Sequence, residues 1–431
     1  MSVSEWREYT VKELVDLKML DKPLDGNHGG MHPKSSDYVT SGIPFIMAND
    51  LKDGKVDYDC CNFITEKQAK TLKKGFAKPG DVLLTHKATM GRTAIVDDSY
   101  PYIVLTPQVT YYRVLKGIDN KYLKYYFDSK DFQELLFNWA GTGSTRAYLG
   151  ITEQLKLPII LPPLPEQKAI AATLSALDDM IGLNNQINKT LEEMAQAIFK
   201  SWFVDFEPFK DGEFEESELG MIPKGWNVKR IDQIDIEITD YVANGSFAAL
   251  KENVTLCDEE DYAVFIRNVD LKANSFNKFV DKKSYEFLRK TKLWGGEVII
   301  SNVGDVGSVF RCPLLAKPMT LGNNMIMLKS ISPVNYNLFL YILFKYSYGI
   351  ELIKSITSGS AQPKFNKTDF RNLKIIVPPK EVIQLFNNIV EKLYRIVDEG
   401  IVENQLLSTV RDTLLPKLMS GEIRVPVEGA M

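Results

Sequence analysis

The nonapeptide LKLPIILPP at 155–163 returns as RNLKIIVPP at 371–379, and after each closing Pro-Pro the periodicity of the chain changes abruptly. Beyond the first copy, Ile170, Leu174, Leu177, Ile181, Asn184, Asn188, Leu191, Ala195, Ile198 and Trp202 step alternately by four and three residues. Beyond the second, Phe386, Val390, Leu393, Val397, Gly400, Asn404, Leu407, Arg411, Leu414 and Leu418 repeat that rhythm, each 216 positions later. This is the seam of a helix that lies lengthwise against another helix. Asn188 and Asn404 take the same seam position, where a polar residue costs stability and fixes register. Glu166 and Glu381 stand just inside the two starts, where a carboxylate suits the helix dipole. Each helix is expected to span about 55–60 Å at about 1.5 Å per residue, and Pro416 to kink or end the second.

Working outward, the duplication extends over about 200 residues. Trp6 and Leu14 match Trp226 and Ile234, and PFIMANDL at 44–51 matches VFIRNVDL at 264–271, both 220 apart. From GDVLLT at 80–85 against GEVIIS at 296–301 the offset becomes 216 and stays there, through Gly91 with Gly307 and Gly143-Ser144 with Gly359-Ser360. A repeat this long means two domains, not a solenoid. Within each copy, runs such as DVLLT, YIVLT and VTYYRV, or EVIIS and NMIMLKS, read as short strands. Helical patches cover 67–74, 119–137 and 335–356. The fold class is therefore α+β: two repeated α/β domains separated by two long coiled-coil helices. The expected boundaries are a first reader at 1–163, its helix at 164–207, an acidic linker at 208–224, a second reader at 225–379, its helix at 380–420 and a tail at 421–431. A chain that alternates globule, helix, linker, globule and helix closes most simply with the helices antiparallel. That puts one globule at each end of a rod, about a pseudo-twofold axis. A plain helical hairpin tethering two domains is the competing reading, but it requires neither this length nor a repeated polar seam residue.

The net charge of −4 looks wrong for a nucleic-acid binder until it is divided. Residues 166–207 hold three basic and seven acidic side chains, 380–417 five and six, and 208–219 one and five. The acid sits in the helices and linker, which leaves the readers mildly basic and compatible with phosphate contacts. Cys60, Cys61, Cys257 and Cys312 show no CxxC spacing, which fits a reducing compartment. MSVSEWREYT opens without an apolar leader, and no run approaches the roughly 18 apolar residues of a membrane span. The expectation is a cytoplasmic protein with no membrane partner.

Motifs for catalysis are missing. There is no GxxxxGK[ST], GxSxG or HExxH, and GTG at 141–143 lacks the third glycine of a dinucleotide loop. His28 and His32 lie in NHGGMHP, read as a flexible turn and not as a metal site. The triplets Asp53-Gly-Lys55 and Asp281-Lys-Lys283 resemble the end of a nuclease motif but arise readily by chance in so charged a chain. No catalytic or metal residue is assigned. What remains are polar, glycine-bearing loops at matching places. In the first copy these offer Thr85, His86, Lys87, Thr89 and Arg92, then Ser144, Thr145 and Arg146. In the second they offer Ser301, Asn302 and Ser308, then Ser360, Gln362 and Lys364. Such side chains reach base edges and phosphates. The framework repeats while the loop chemistry differs, as two readers of unlike half-sites would. The alternative is that these are solvated turns.

At LPIILPPLPEQKAIAATLSALDDMI, AIFKSWFVDFEPF, LLPKLMSGEIRVP and GTGST the chain closely resembles the specificity subunit of type I restriction-modification enzymes, along its whole length. One departure is the second spacer, which starts PPKEVIQ and lacks the full PPLPEQ string. The resemblance implies two target-recognition domains on double-stranded DNA, with two methyltransferase (modification) subunits and motor-nuclease (restriction) subunits as partners. It also implies that S-adenosylmethionine, ATP and Mg2+ belong to those partners, with no cofactor in this chain. A coiled-coil scaffold without nucleic-acid binding is the alternative function, and an enzyme with an unrecognised site a more distant one.

Overall fold

A computed structural model describes residues 6–141 and 147–426. The chain forms two compact units. The first takes the described residues up to Leu183 and from Glu403 onward, and the second takes Asn184–Val402.

In the first unit a four-stranded antiparallel sheet runs in the order Thr93–Ile95, Val82–Thr85, Val109–Tyr112, Leu24–Asp25. A five-stranded sheet runs Tyr38–Val39, Asn62–Ile64, Ile43–Ile46, Ile103–Leu105, Phe76–Ala77, and its third and fourth strands form the one parallel pair. Arg7–Thr10 and Pro158–Leu161 add an antiparallel ribbon. The second unit repeats these three sheets, but not the first unit's short hairpin of Leu51–Lys52 with Lys55–Val56. Its four-stranded sheet is Val309–Arg311, Val298–Ser301, Met325–Ser330, Ile236–Asp240. Its five-stranded sheet is Leu256–Cys257, Phe279–Val280, Ala263–Ile266, Met319–Leu321, Lys292–Leu293, again with the third and fourth strands parallel. Asn227–Arg230 and Lys374–Val377 form the ribbon. The duplication inferred from two constant offsets is thus a duplication of fold.

The apolar runs read as strands because both faces are covered. Val82 and Leu84 enter one core and Leu83 the other, as the two-residue period of a strand requires. Val298 and Ile300 against Ile299 do the same in the second unit. The helical patch of the first unit breaks where a side chain caps backbone. The expected 119–137 helix is two, Asn120–Asp128 and Lys130–Trp139, started by Asp119 and Ser129, whose side chains accept from Tyr122 and Phe132 N–H. Its counterpart is Asn337–Tyr346 and Gly349–Ile356.

The two long helices are Leu164–Phe203 and Lys380–Met419, 40 residues each. In the first unit Ile170 and Leu174 share a core with Leu414 and Leu418. In the second, Ala195, Ile198 and Trp202 share one with Phe386, Val390 and Leu393, and the Trp202 and Phe386 rings lie 6.2 Å apart. The start of one helix meets the end of the other in each unit, so the pairing is antiparallel. No seam residue is exposed: Val397 is buried, and Leu177, Ile181, Asn188, Leu191, Leu393, Asn404 and Leu407 are half-buried. Cutting a fully buried seam leucine such as Leu174 to alanine costs about 2–5 kcal/mol. Arg411 keeps its seam place by pairing with Asp178 at 2.8 Å, which also accepts from the Tyr125 hydroxyl at 2.5 Å.

The PEQ of the first helix has a structural reason. Buried Glu166 accepts from Trp6 Nε1 at 3.1 Å and pairs with Arg424, while buried Gln167 accepts from Asp119 N–H at 2.9 Å and donates to Gly117 and Pro162 carbonyls. The second helix, which lacks that string, uses buried Asn387 instead, donating to the Asn335 carbonyl at 2.6 Å. The second helix runs through Pro416 and ends one turn later, with Ser420 N–H on the Pro416 carbonyl. The acidic stretch expected as a linker holds a hairpin, Phe214–Ser217 with Gly220–Pro223, tied down by Lys374 on Glu218.

Candidate nucleic-acid interface

In each unit the loop after the second sheet strand is closed the same way. Thr85 N–H donates to the Arg92 carbonyl at 2.9 Å, and Gly91 N–H reaches the Thr85 carbonyl at 2.9 Å. Ser301 and Ser308, and Gly307 to Ser301, repeat those bonds at 2.9 and 3.0 Å. Gly91 and Gly307 sit at φ +81° and +89°, where a side chain is strained. Ala88 and Gly304 occupy the next matched station at φ +64° and +77°, so the first copy accepts left-handed backbone at an alanine.

The segment just past the first unit's second candidate loop, more than 50 residues away in sequence, is stitched to the first loop. Ala88 N–H donates to the Ala147 carbonyl at 3.2 Å and Leu149 N–H to the His86 carbonyl at 3.0 Å. In the second unit Gly304 N–H donates to Pro363 at 2.8 Å and Phe365 N–H to Asn302 at 3.1 Å, the same four positions shifted by 216. A side chain adds a third stitch in each. The His86 ring is fully buried, and burial pushes its pKa down to about 4, so it is neutral and donates Nδ1–H to the Leu149 carbonyl at 2.9 Å. Asn302 Nδ2 donates to the matching carbonyl of Phe365 at 3.4 Å. Histidine in one unit and asparagine in the other each present a donor to that carbonyl. A third loop joins at the same sheet edge: His86 N–H bonds Gln108 and Asn302 N–H bonds Asn324.

The expected contact residues divide on this scaffold. Thr85, His86 and Ser301, expected as contact residues, are fully buried, and their side chains bond inward within the loops. Thr85 Oγ1 accepts from Arg92 N–H at 2.9 Å, and Ser301 Oγ accepts from Asn268 Nδ2 at 3.3 Å. Asn302 is half-buried and serves the stitch. Arg92 is exposed, its guanidinium 3.4 Å from the Ala48 and Leu51 carbonyls. Lys87 lies over the exposed ring of Tyr148, 5.7 Å from its centroid, and Thr89 is half-buried at the tip of the loop. Ser360, Gln362 and Lys364 are exposed, and Ser308 donates to Asp305 Oδ2 at 2.6 Å. Ser144, Thr145 and Arg146 lie outside the described residues.

The candidate residues did not include Tyr148, Asn324, Asn268 or Asp305, which the fold places at these loops. Pairing the two copies at offset 216 was the signal available: Tyr148 falls on Lys364, Thr89 on Asp305 and Arg92 on Ser308. The acid-x-Lys triplets are explained by backbone: Asp53 stands at φ +50° in a turn, and Asp281 caps the helix Lys282–Phe287. His28 bonds buried Asp25 at 2.7 Å, and Lys74 pairs with the same carboxylate. Among the described residues no group of three or more His, Cys, Asp or Glu side chains could hold a metal ion.

Comparison with known proteins agrees with this architecture. The family model described as the type I restriction modification DNA specificity domain matches twice, at residues 3–193 and 223–408. The chain is 32% identical over 438 residues to the type I restriction enzyme MjaIX specificity subunit of Methanocaldococcus jannaschii, covering 97% of this chain and 94% of that one. It is 24% identical over 505 residues to the type I restriction enzyme HindI specificity subunit of Haemophilus influenzae, covering 98% and 100%. The crystal structure of the type I restriction-modification system S subunit from M. genitalium shares the fold, with a TM-score of 0.58 at 15% identity over 97% of both chains. Two specificity domains, each with its stitched loops and long helix, and relatives along the whole length place this chain in the type I restriction-modification DNA specificity family, as a non-catalytic DNA sequence-recognition subunit.

Proposed function

We propose that the chain reads a bipartite, asymmetric site on double-stranded DNA, one half through the stitched loops of each unit. Adenine methylation and ATP-dependent restriction at that site are carried out by partners: two methyltransferase subunits and motor-nuclease subunits. S-adenosylmethionine, ATP and Mg2+ are bound by those partners. Two loop sets with one backbone and unlike side chains support this reading. Lys87, Arg92 and Tyr148 present cationic and aromatic chemistry in the first, against Asp305, Ser360, Gln362 and Lys364 in the second. A shared scaffold with different donors and acceptors is what reading two different base sequences requires. In this reading the place of work is the cytoplasm, a reducing compartment that four free cysteines fit.

The test is reconstitution of the chain with its methyltransferase subunits. The expected result is a mobility shift of one duplex sequence and methyl transfer at that sequence only. The chain alone is expected to transfer no methyl group. A complex that methylates with no sequence preference contradicts the reading, and absence of any shift favours a scaffold.

A further inference from the structure

The loop 301–308 carries a carboxylate that its own closure does not require. Three donors converge on one oxygen of Asp305: Asn268 Nδ2 at 3.1 Å, Ser308 Oγ at 2.6 Å and Lys272 Nζ at 2.7 Å, all on Oδ2. Burial pushes the carboxyl up, but the bonds from Lys272, Ser308 and Asn268 outweigh it and hold the group ionised. The side chain is 39% exposed, on the loop stitched to Pro363 and Phe365. In the first unit the matching stations hold Thr89, Ala48 and Arg92 in place of Asp305, Asn268 and Ser308, and the loop still closes through the same backbone bonds. The carboxylate network is therefore an addition to a loop that folds without it.

Space beside it is also particular to the second unit. In the first, Gln133 reaches from its helix to donate to the Gly91 carbonyl at 2.9 Å and fills the approach. The matching residue is Gly349, and an open cleft remains between Asp305, Val306 and Gly307 on the loop and Ile350, Ile353 and Lys354 on the helix.

We infer that Asp305 is a specificity-determining residue, its oriented carboxylate accepting a hydrogen bond from the exocyclic amino group of a cytosine or adenine in the second half-site. An acidic side chain accepts from cytosine N4, and by the same chemistry from adenine N6, whereas the acceptor oxygens of guanine O6 and thymine O4 repel it. Lys272 offsets the carboxylate's charge against the phosphates. This inference rests on the proposed DNA reading and deepens it for the second unit.

The experiment uses the complex with methyltransferase subunits and its own methylated sequence. Each base of the second half-site is replaced singly by an analogue lacking the amino group, 2-pyrimidinone for cytosine and purine for adenine. Parent is compared with Asp305→Ala and with Asp305→Thr, the latter installing the residue the first unit carries at that station. One replacement is expected to weaken parent binding tenfold or more and to have no further effect on either variant; which analogue does so identifies the base. The first half-site serves as the internal control and is unchanged. The inference is overturned if no replacement weakens the parent, or if the same replacement weakens parent and variants equally. A parent complex with no sequence preference overturns the DNA reading itself, a distinct result.

Discussion

Lowering the pH should loosen the first unit at His86. Its ring is fully buried and neutral, with pKa pushed from 6.5 down to about 4 by burial. The unfolded chain therefore takes up the proton first as pH falls. The stability associated with the neutral ring is fully present above 6.5 and is lost as pH drops toward 4. Each pH unit crossed in that window removes about 1.36 kcal/mol, so roughly 2 kcal/mol disappears between pH 7 and pH 5, and about 3 kcal/mol by pH 4. His86→Asn removes the titration and keeps the stitch, since Asn302 makes the same bond in the second unit. Hydrogen exchange of the Val82–Thr85 amides across pH 4.5–7.5 reads the difference, because carboxylates common to both proteins cancel. The variant is expected to match the parent at pH 7.5 and to exceed its protection by about 2 kcal/mol at pH 5. Parallel pH dependences would refute the neutral buried ring and its role in joining the loops.

Three further outcomes are expected. A Cβ on Gly400 would lie 2.9 Å from the Asn188 amide, so Gly400→Ala should gain little alone but about 1 kcal/mol once Asn188→Ala has cleared the seam, measured as a double-mutant cycle by thermal denaturation. Ala88→Gly should stabilise the first unit by about 1 kcal/mol and Gly304→Ala destabilise the second by a similar amount, because both stations need positive φ; equal and small effects by urea titration would contradict this. Four residues inserted after Asn188 add a net rotation of about 40°, close to the roughly 35° of one base pair, and about 6 Å, between the rise of one base pair (about 3.4 Å) and of two. The insertion should lengthen the unread gap by one or two base pairs, and an unchanged gap with normal methylation would mean the helices do not set it.

Much of the fold was legible because its signals are local and repeated. The alternating three- and four-residue steps marked both long helices, and every seam position is wholly or partly buried. The constant offsets marked a duplication that extends to the order and direction of the strands in three sheets of each unit. The break at Ser129 was not read, because a capping serine inside an apolar-periodic stretch looks like an ordinary helical residue. The matched placement of the two candidate loops was legible, and the roles of their side chains only partly. Thr85, His86 and Ser301 are polar residues at strand ends, and polarity alone does not distinguish a side chain bonded inward from one facing solvent. The stitches join carbonyls and amides more than 50 residues apart, which no local pattern encodes. Asp305, in Val-Gly-Asp-Val-Gly, reads as a turn aspartate until Asn268 and Lys272 are seen to converge on it.

The central claim, that each unit reads its own half of one DNA site, is tested most directly by mapping methylated adenines in cells carrying the chain with its methyltransferase subunits. Three proteins are compared: the parent, a first-unit variant (Lys87→Ala with Arg92→Ala) and a second-unit variant (Gln362→Ala with Lys364→Ala). The account predicts a two-part motif with an unread gap for the parent. The first-unit variant should relax or lose only one half of it, and the second-unit variant only the other. A motif altered in the same half by both variants, or one that does not depend on the chain, would contradict it.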